Sequence, residues 1–320
     1  MRKIIKRSLW TLFGVFIIMN IVAAIHAYKF THFDNSAKVR TKDPKQLSAW
    51  QKITTVVLGI SNPRPVNKKF PSRSFQTIRL KSNKEIECWL IEHEQSVNID
   101  SSKGTVIIFH GYIGEKSSML DKVEEFFNMG YNILLVDFMG SGGSASNQTT
   151  IGYKEADEVK TCFDYIKNTG EHKIILFGTS MGAVAVIKSL HDYDIQPAGI
   201  IVECPFGSMY KTTCSRFRQL HVPTFPMAAL LDLWGGIENG FNAWEFIPSD
   251  YAKSVKCPAL LLYGGQDDKV SREETDDIYN NFKGVKQMKI YPGAGHENYL
   301  SKYKKEWVAD VDSFLEALGQ

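Results

Sequence analysis

Residues 173–190 read KIILFGTSMGAVAVIKSL, a stretch that joins an apolar run to a glycine-flanked serine and a small-residue apolar segment. Its first part, KIILF, has the continuous apolar character of a buried strand, and MGAVAVIKSL is typical of a helix. Between them lies the pentapeptide G-x-S-x-G, with Ser180 at its centre. A sharp strand-to-helix turn holds such a serine in strained backbone geometry at the top of a sheet, and it needs flanking glycines for clearance. We therefore predict that Ser180 is a nucleophile.

The rest of the chain repeats this alternation of strand and helix, which predicts a mostly parallel sheet with helices on both faces. Continuous apolar runs indicate strands that are buried on both faces. They lie at 105–111, 131–138, 173–180, 198–204 and 259–265. The runs 75–80 and 86–93 are spaced as an antiparallel hairpin at the sheet edge, and 285–293 is the last strand. Helices are predicted at 117–129, 152–168, 181–191, 273–281 and 301–318. The prediction is an α/β fold with eight strands.

One segment, from about residue 205 to 256, interrupts this alternation. It is rich in Pro, Trp and Phe and lies between two strands that need only a single helix to connect them. We predict a short helical lid. Its apolar stretch PTFPMAALLDLW, residues 223–234, either lines an acyl-binding cleft or packs a helix onto the domain.

The N-terminus combines a basic cluster with an apolar run. Residues 8–27 read SLWTLFGVFIIMNIVAAIHA, and a helix of that length can cross a hydrocarbon core of about 30 Å. The apolar region of a signal peptide is usually about 7–15 residues long, so an uncleaved anchor is favoured over a signal peptide or a buried core helix. The basic cluster predicts a cytoplasmic N-terminus and a folded domain outside the cytoplasm. The predicted parts are an anchor at 1–29, a linker at 30–73 with one helix near 46–59, and a folded domain at 74–320.

Composition excludes several classes of function. Hydrophobic residues make up 43% and charged residues 23% of the 320, which is ordinary globular usage. The net charge of +3 is concentrated at the N-terminus, so no nucleic-acid partner is expected. We find no metal-ligand spacing and no phosphate-binding loop, and we expect neither metal nor cofactor. The five cysteines are scattered, and only Cys204 and Cys214 form a plausible pair, which the sequence leaves open.

A serine hydroxyl needs a base, and that base needs a group that fixes its tautomer. His296 lies in the loop Gly293-Ala294-Gly295-His296-Glu297 directly after the last strand, where it can fold back over the nucleophile. The acid is expected after the run ALLLY, where Asp267 and Asp268 follow each other. The order Ser, Asp, His is one of the known arrangements of a catalytic triad.

Residues 74–318 resemble a bacterial α/β-hydrolase of the serine aminopeptidase and esterase type. Three further motifs carry the resemblance: His110-Gly111-Tyr112, the turn Asp137-Phe138-Met139-Gly140-Ser141-Gly142-Gly143-Ser144, and G-x-x-D-x-x-V from Gly264 to Val270. The second motif has Met139 where the family often has Arg. The resemblance implies the α/β-hydrolase fold and an acid at Asp267, and it implies that the backbone N–H groups of Tyr112 and Met181 form an oxyanion hole. We interpret His110, Asp137 and Glu203 as structural residues.

These residues predict acyl transfer in two steps through an acyl-enzyme. An ester is the first expectation for the substrate. The apolar lid and the anchor favour a small-molecule or lipid-like acyl substrate. A peptidase or amidase with the same triad, acyl transfer to an acceptor other than water, and a catalytically silent binding protein of this fold remain alternatives.

Overall fold

The computed structural model of the protein describes residues 2–42, 46–93 and 102–319. It divides the chain into two compact units. Unit 1 comprises Met1–Pro63 and Met209–Phe246, and unit 2 comprises Arg64–Ser208 and Ile247–Gln320. This division differs from the predicted parts, because most of the lid segment groups with the N-terminal residues instead of with the sheet. Residues 43–45 of the predicted linker lie outside the described residues.

Unit 2 contains the sheet. Its strands are β1 (Gln76–Lys81), β2 (Glu85–Ile91), β3 (Thr105–Phe109), β4 (Asn132–Val136), β5 (Ile174–Thr179), β6 (Gly199–Glu203), β7 (Ala259–Gly264) and β8 (Lys286–Tyr291). They lie in the order β1-β2-β4-β3-β5-β6-β7-β8. Strands β1 and β2 form an antiparallel hairpin, β2 is antiparallel to β4, and the remaining pairs are parallel. The predicted eight-stranded, mostly parallel sheet is confirmed.

The central strands are buried on both faces, as their continuous apolar runs indicate. In β3, Ile107 and Phe109 point to one apolar cluster, whereas Val106 and Ile108 point to the other. Helices cover both faces. The helices of unit 2 are α3 (Leu120–Asn128), α4 (Glu155–Asn168), α5 (Met181–Asp192), α8 (Pro248–Tyr251), α9 (Arg272–Asn281), α10 (Tyr299–Lys302) and α11 (Lys304–Ala317). Helices α4, α5 and α9 contribute to the first cluster, and α3 and α11 contribute to the second.

Unit 1 is helical, with α1 (Arg2–Thr31), α2 (Ala49–Leu58), α6 (Met209–Leu220) and α7 (Met227–Asn239). Among the described residues, α1 is the one helix long and apolar enough to cross a membrane. Small residues face its partner α7: Ala23 and Ala27 are buried, and a Cβ on Gly235 would lie 3.9 Å from the Cβ of Ala27. The Trp234 indole N–H donates a hydrogen bond of 3.1 Å to Asn20 Oδ1. Residues 223–234 were predicted either to line an acyl-binding cleft or to pack a helix onto the domain. Their last residue, Trp234, contacts the N-terminal helix α1.

All five cysteines are free thiols. The pair Cys204 and Cys214 that the sequence left open is therefore not a disulfide here. Cys88 and Cys162, which the sequence did not connect, lie with their sulfur atoms 4.0 Å apart between β2 and α4.

Candidate active site

Ser180 lies at the turn between β5 and α5, where the sequence placed it. Its backbone has φ 52° and ψ −110°, a conformation that L-residues rarely adopt. The turn has no room for side chains on its glycines. A Cβ on Gly178 would lie 2.5 Å from the carbonyl of Gly182, and a Cβ on Gly182 would lie 2.5 Å from the carbonyl oxygen of Phe109. The two glycines are therefore sterically required, and the strain fixes the serine at the carboxyl end of the sheet.

The loops after β7 and β8 bring the other two predicted residues to Ser180. His296 Nε2 lies 3.0 Å from Ser180 Oγ, and His296 Nδ1 lies 2.7 Å from Asp267 Oδ2. The second oxygen of Asp267 accepts the backbone N–H groups of Lys269 and Val270 at 2.8 and 2.9 Å. These contacts hold the Asp267 carboxylate toward the imidazole. The choice of Asp267 over Asp268 thus agrees with the geometry of the loop.

Charges around the imidazole affect its proton affinity. Burial by itself lowers the pKa of His296, but the neighbouring Cys204 sulfur and the hydrogen-bonded Asp267 carboxylate outweigh burial and raise that pKa. Asp267 is the group that stabilises the imidazolium formed when the histidine takes up a proton.

The loop after β3 approaches the same serine. A Cβ on Gly111 would lie 3.6 Å from the Cβ of Ser180, and Tyr112 is the next residue along this loop. Met181 is the first residue of α5, where a helical N–H group has no partner within the helix. The two backbone groups that the resemblance assigns to the oxyanion hole therefore belong to the segments that flank Ser180.

His110 supports this loop from below. Its side chain is buried, its Nε2 accepts the backbone N–H of Phe138 at 3.1 Å, and its Nδ1 lies 2.8 Å from the carbonyl oxygen of Gly111. Because Nε2 is the acceptor, the proton of the neutral ring resides on Nδ1. Burial lowers the pKa of His110, which keeps the ring neutral. The residue ties the loops after β3 and β4 together.

The acidic residues at the ends of β4 and β6 are bound to partners that the sequence did not indicate. Asp137 Oδ2 accepts the ammonium of Lys116 at 2.5 Å, and the same ammonium contacts Glu87 at 2.8 Å. Glu203 accepts the indole N–H of Trp307 at 2.7 Å. Both Asp137 and Glu203 are fully buried, which fits the structural roles predicted for them.

Cys204 is the residue at this site whose position sequence reasoning missed. It follows β6 with φ 41°, and its sulfur lies within hydrogen-bonding reach of His296 and Tyr299. The ligating atoms of Cys204, Asp267 and His296 all lie within 4.8 Å of one another. No short spacing links these three residues, so only the fold brings them together.

Comparison with known proteins agrees with this architecture. Residues 100–232 match the sequence profile of the family described as "Serine aminopeptidase, S33". The esterase Pf2001 of Pyrococcus furiosus superposes with a TM-score of 0.64 at 24% identity, over 80% of this chain and 98% of that chain. The chain has the α/β-hydrolase fold, and its residues 100–232 are similar to this serine hydrolase family. Its fold and its predicted resemblance are thereby confirmed.

Two further proteins are similar to this chain, one in sequence and one in fold. The uncharacterized protein YqkD of Bacillus subtilis is 26% identical over 219 residues, which is 67% of this chain and 72% of that protein. A structure described as a membrane phospholipase A, a bacterial virulence factor, superposes with a TM-score of 0.54 at 16% identity, over 77% of this chain and 87% of that chain. This chain and the phospholipase share the fold.

Proposed function

We propose that this α/β-hydrolase is a membrane-anchored serine hydrolase that cleaves an acyl ester. The observation that carries the proposal is the chain of contacts Ser180–His296–Asp267, with the serine held in a strained turn. Ser180 Oγ attacks the ester carbonyl while His296 Nε2 takes its proton. The charge on the carbonyl oxygen is met by the N–H groups of Tyr112 and Met181. The alcohol then leaves with the proton, and water attacks the acyl-enzyme to release the acid.

The anchor in this proposal is α1, whose residues from Ile4 to Ile18 expose large apolar side chains to their surroundings. With the basic cluster in the cytoplasm, the catalytic unit lies outside it. The apolar surface of unit 1 supports a lipophilic acyl substrate. A reporter that is active only outside the cytoplasm, fused after Gln320, is expected to give signal; a silent reporter on expressed protein contradicts this orientation.

The test of the nucleophile uses a fluorophosphonate probe on the detergent-solubilised protein. We expect wild type to be labelled, with the adduct located on Ser180 by peptide mass analysis. Ser180→Ala and heat-denatured wild type are the matched controls, and both are expected to remain unlabelled. Folded wild type that does not react would contradict the proposal and favour the binding protein of this fold.

A peptidase or amidase is the second candidate, and the match of residues 100–232 to a serine aminopeptidase profile favours it. The triad serves both reactions, so the leaving group has to be tested directly. Chromogenic acyl esters and aminoacyl amides are compared at equal concentration on wild type and on Ser180→Ala. Faster Ser180-dependent release from the esters supports the esterase, and the reverse supports the peptidase.

A further inference from the structure

The strongest feature that this chemistry does not use is the cysteine beside the histidine. Cys204 adopts φ 41° directly after β6, in the left-handed region that favours glycine and that L-residues rarely adopt. Its N–H donates to the Leu262 carbonyl at 3.0 Å, which continues the pairing of β6 with β7. The strained backbone therefore places a thiol at the end of the sheet, beside His296.

The three side chains that meet here form a suitable donor set for a soft divalent metal. Thiolate sulfur, imidazole nitrogen and carboxylate oxygen are the ligands of zinc, with bonds of about 2.0–2.3 Å. Ligand atoms around such an ion lie roughly 3.3–3.8 Å apart. The atoms of Cys204, Asp267 and His296 already lie within 4.8 Å of one another, so small side-chain rotations bring them to these separations.

The three candidate ligands differ in their exposure to solvent. The Cys204 residue and the Asp267 side chain are essentially unexposed, whereas the His296 side chain is 16% exposed. Three protein ligands with a fourth position open toward solvent is the usual arrangement of an accessible zinc site. A metal at this position occupies the imidazole that Ser180 needs.

We propose that Cys204, Asp267 and His296 form an inhibitory site for a soft divalent cation such as Zn²⁺. Binding forms one bond each from the metal to Cys204 Sγ, His296 Nδ1 and the Asp267 carboxylate. The Cys204 thiol proton leaves to solvent, and the imidazole proton moves from Nδ1 to Nε2. The ion replaces the contact between His296 and Asp267. His296 then has no means of taking the Ser180 proton, so removal of the metal restores the nucleophile. The inhibitory consequence rests on the proposed function, whereas metal binding itself does not.

Binding is tested first in a protein that lacks the nucleophile. Ser180→Ala keeps all three ligands, and titration with Cd²⁺ is expected to produce the near-ultraviolet absorption of a cadmium–thiolate bond. Ser180→Ala/Cys204→Ser is expected to lose this absorption. Ser180→Ala/Cys257→Ser is the matched control, because Cys257 is a partly exposed thiol elsewhere in unit 2. Absorption that persists without Cys204, or that depends on Cys257, overturns the site.

Inhibition is tested by fluorophosphonate labelling in Zn²⁺ buffered by a chelator. Wild type is expected to lose labelling and to regain it with EDTA. Cys204→Ser is expected to need at least about tenfold more free Zn²⁺ for the same loss relative to its own metal-free rate, since one of three ligands is gone. Equal Zn²⁺ sensitivity in Cys204→Ser overturns the inhibitory role. Wild type that is unlabelled even in EDTA contradicts the serine hydrolase, and the cadmium titration still decides the metal site.

Discussion

One buried carboxyl group in each unit, Asp137 in unit 2 and Asp232 in unit 1, shows the difference between ion pairing and protonation. In unit 2, burial acts to raise the pKa of Asp137, but the ammonium of Lys116 outweighs it and holds that pKa below its ordinary value. In unit 1, Asp232 accepts the Thr213 hydroxyl at 2.6 Å, and its other oxygen has no hydrogen-bond partner among the described residues. Burial raises the pKa of Asp232 to about 7.

The two units also differ in how many large apolar side chains they expose. Most of the large apolar side chains that are exposed belong to unit 1, including Trp50, Leu58 and Phe225 as well as the length of α1. Unit 2 exposes few, such as Phe70 and Val285. The apolar surface of unit 1 is what the proposed anchor requires, and the buried Asp232 in this unit is neutralised by protonation instead of by an ion pair.

The largest effect is expected from the acid in unit 2. Asp267→Asn keeps the shape of the side chain but stabilises the wrong tautomer of His296, so the fluorophosphonate labelling rate should fall on the order of 10³–10⁴-fold. Partitioning of the protein into membranes should not change. Asp268→Asn, one residue along the same loop, is the matched control and should label like wild type. A loss smaller than tenfold in Asp267→Asn contradicts the triad.

The next effect concerns the ion pairing of unit 2. Lys116→Met leaves Asp137 and Glu87 without their shared cation, and the free energy of unfolding should fall by about 3–5 kcal/mol. Urea unfolding followed by circular dichroism measures the change. Lys160→Met removes the partly exposed pair Lys160–Asp164 and should cost no more than about 0.5 kcal/mol. Equal costs for the two substitutions would show that the buried pair is not required.

The contrast also explains what the sequence could predict. Strands such as 105–109 and the serine turn carry local signals, namely apolar runs and glycine spacing, and they were found close to their true ends. The ammonium of Lys116 and the thiol of Cys204 carry no such signal, because their partners lie far away in the chain. The same holds for α1 and α7. Each is an apolar helix whose own sequence gives no sign of the other helix. Their pairing is therefore visible only in the folded structure.

A change of pH should affect the stability of unit 1 through Asp232. Its pKa is raised from 3.8 to about 7, so the folded state binds the proton more tightly than the unfolded state. The extra stability is fully present below about pH 4 and is lost as the pH rises to about 7, up to about 4 kcal/mol. Thermal unfolding in mild detergent at pH 5 and pH 8, followed by tryptophan fluorescence, measures it. Asp232→Asn should reduce the difference, and Glu238, whose pKa burial also raises to about 7, accounts for what remains. Asp250→Asn in unit 2, which is exposed, should leave the difference unchanged.

The anchor can be tested by placing a charge on α1. Phe16→Arg puts a guanidinium at a position whose side chain is 56% exposed, and an arginine near the bilayer centre costs about 2.5–3.5 kcal/mol. We expect part of the protein to become extractable by carbonate, while labelling of Ser180 in detergent stays unchanged. Phe16→Leu is the matched control and should remain in the membrane. Unaltered extraction of the arginine variant argues against a membrane-spanning α1.

The smallest effect tests whether α1 and α7 pack as one unit. Trp234→Phe keeps an aromatic ring but removes the N–H that binds Asn20, which should cost about 0.5–1.5 kcal/mol. Trp244→Phe, at a half-exposed ring, is the control. A double-mutant cycle with Asn20→Leu isolates the pair, because the two single losses should not add. Since the residues lie 214 positions apart in the chain, a coupling near zero would mean that α1 anchors the protein without organising the lid segment.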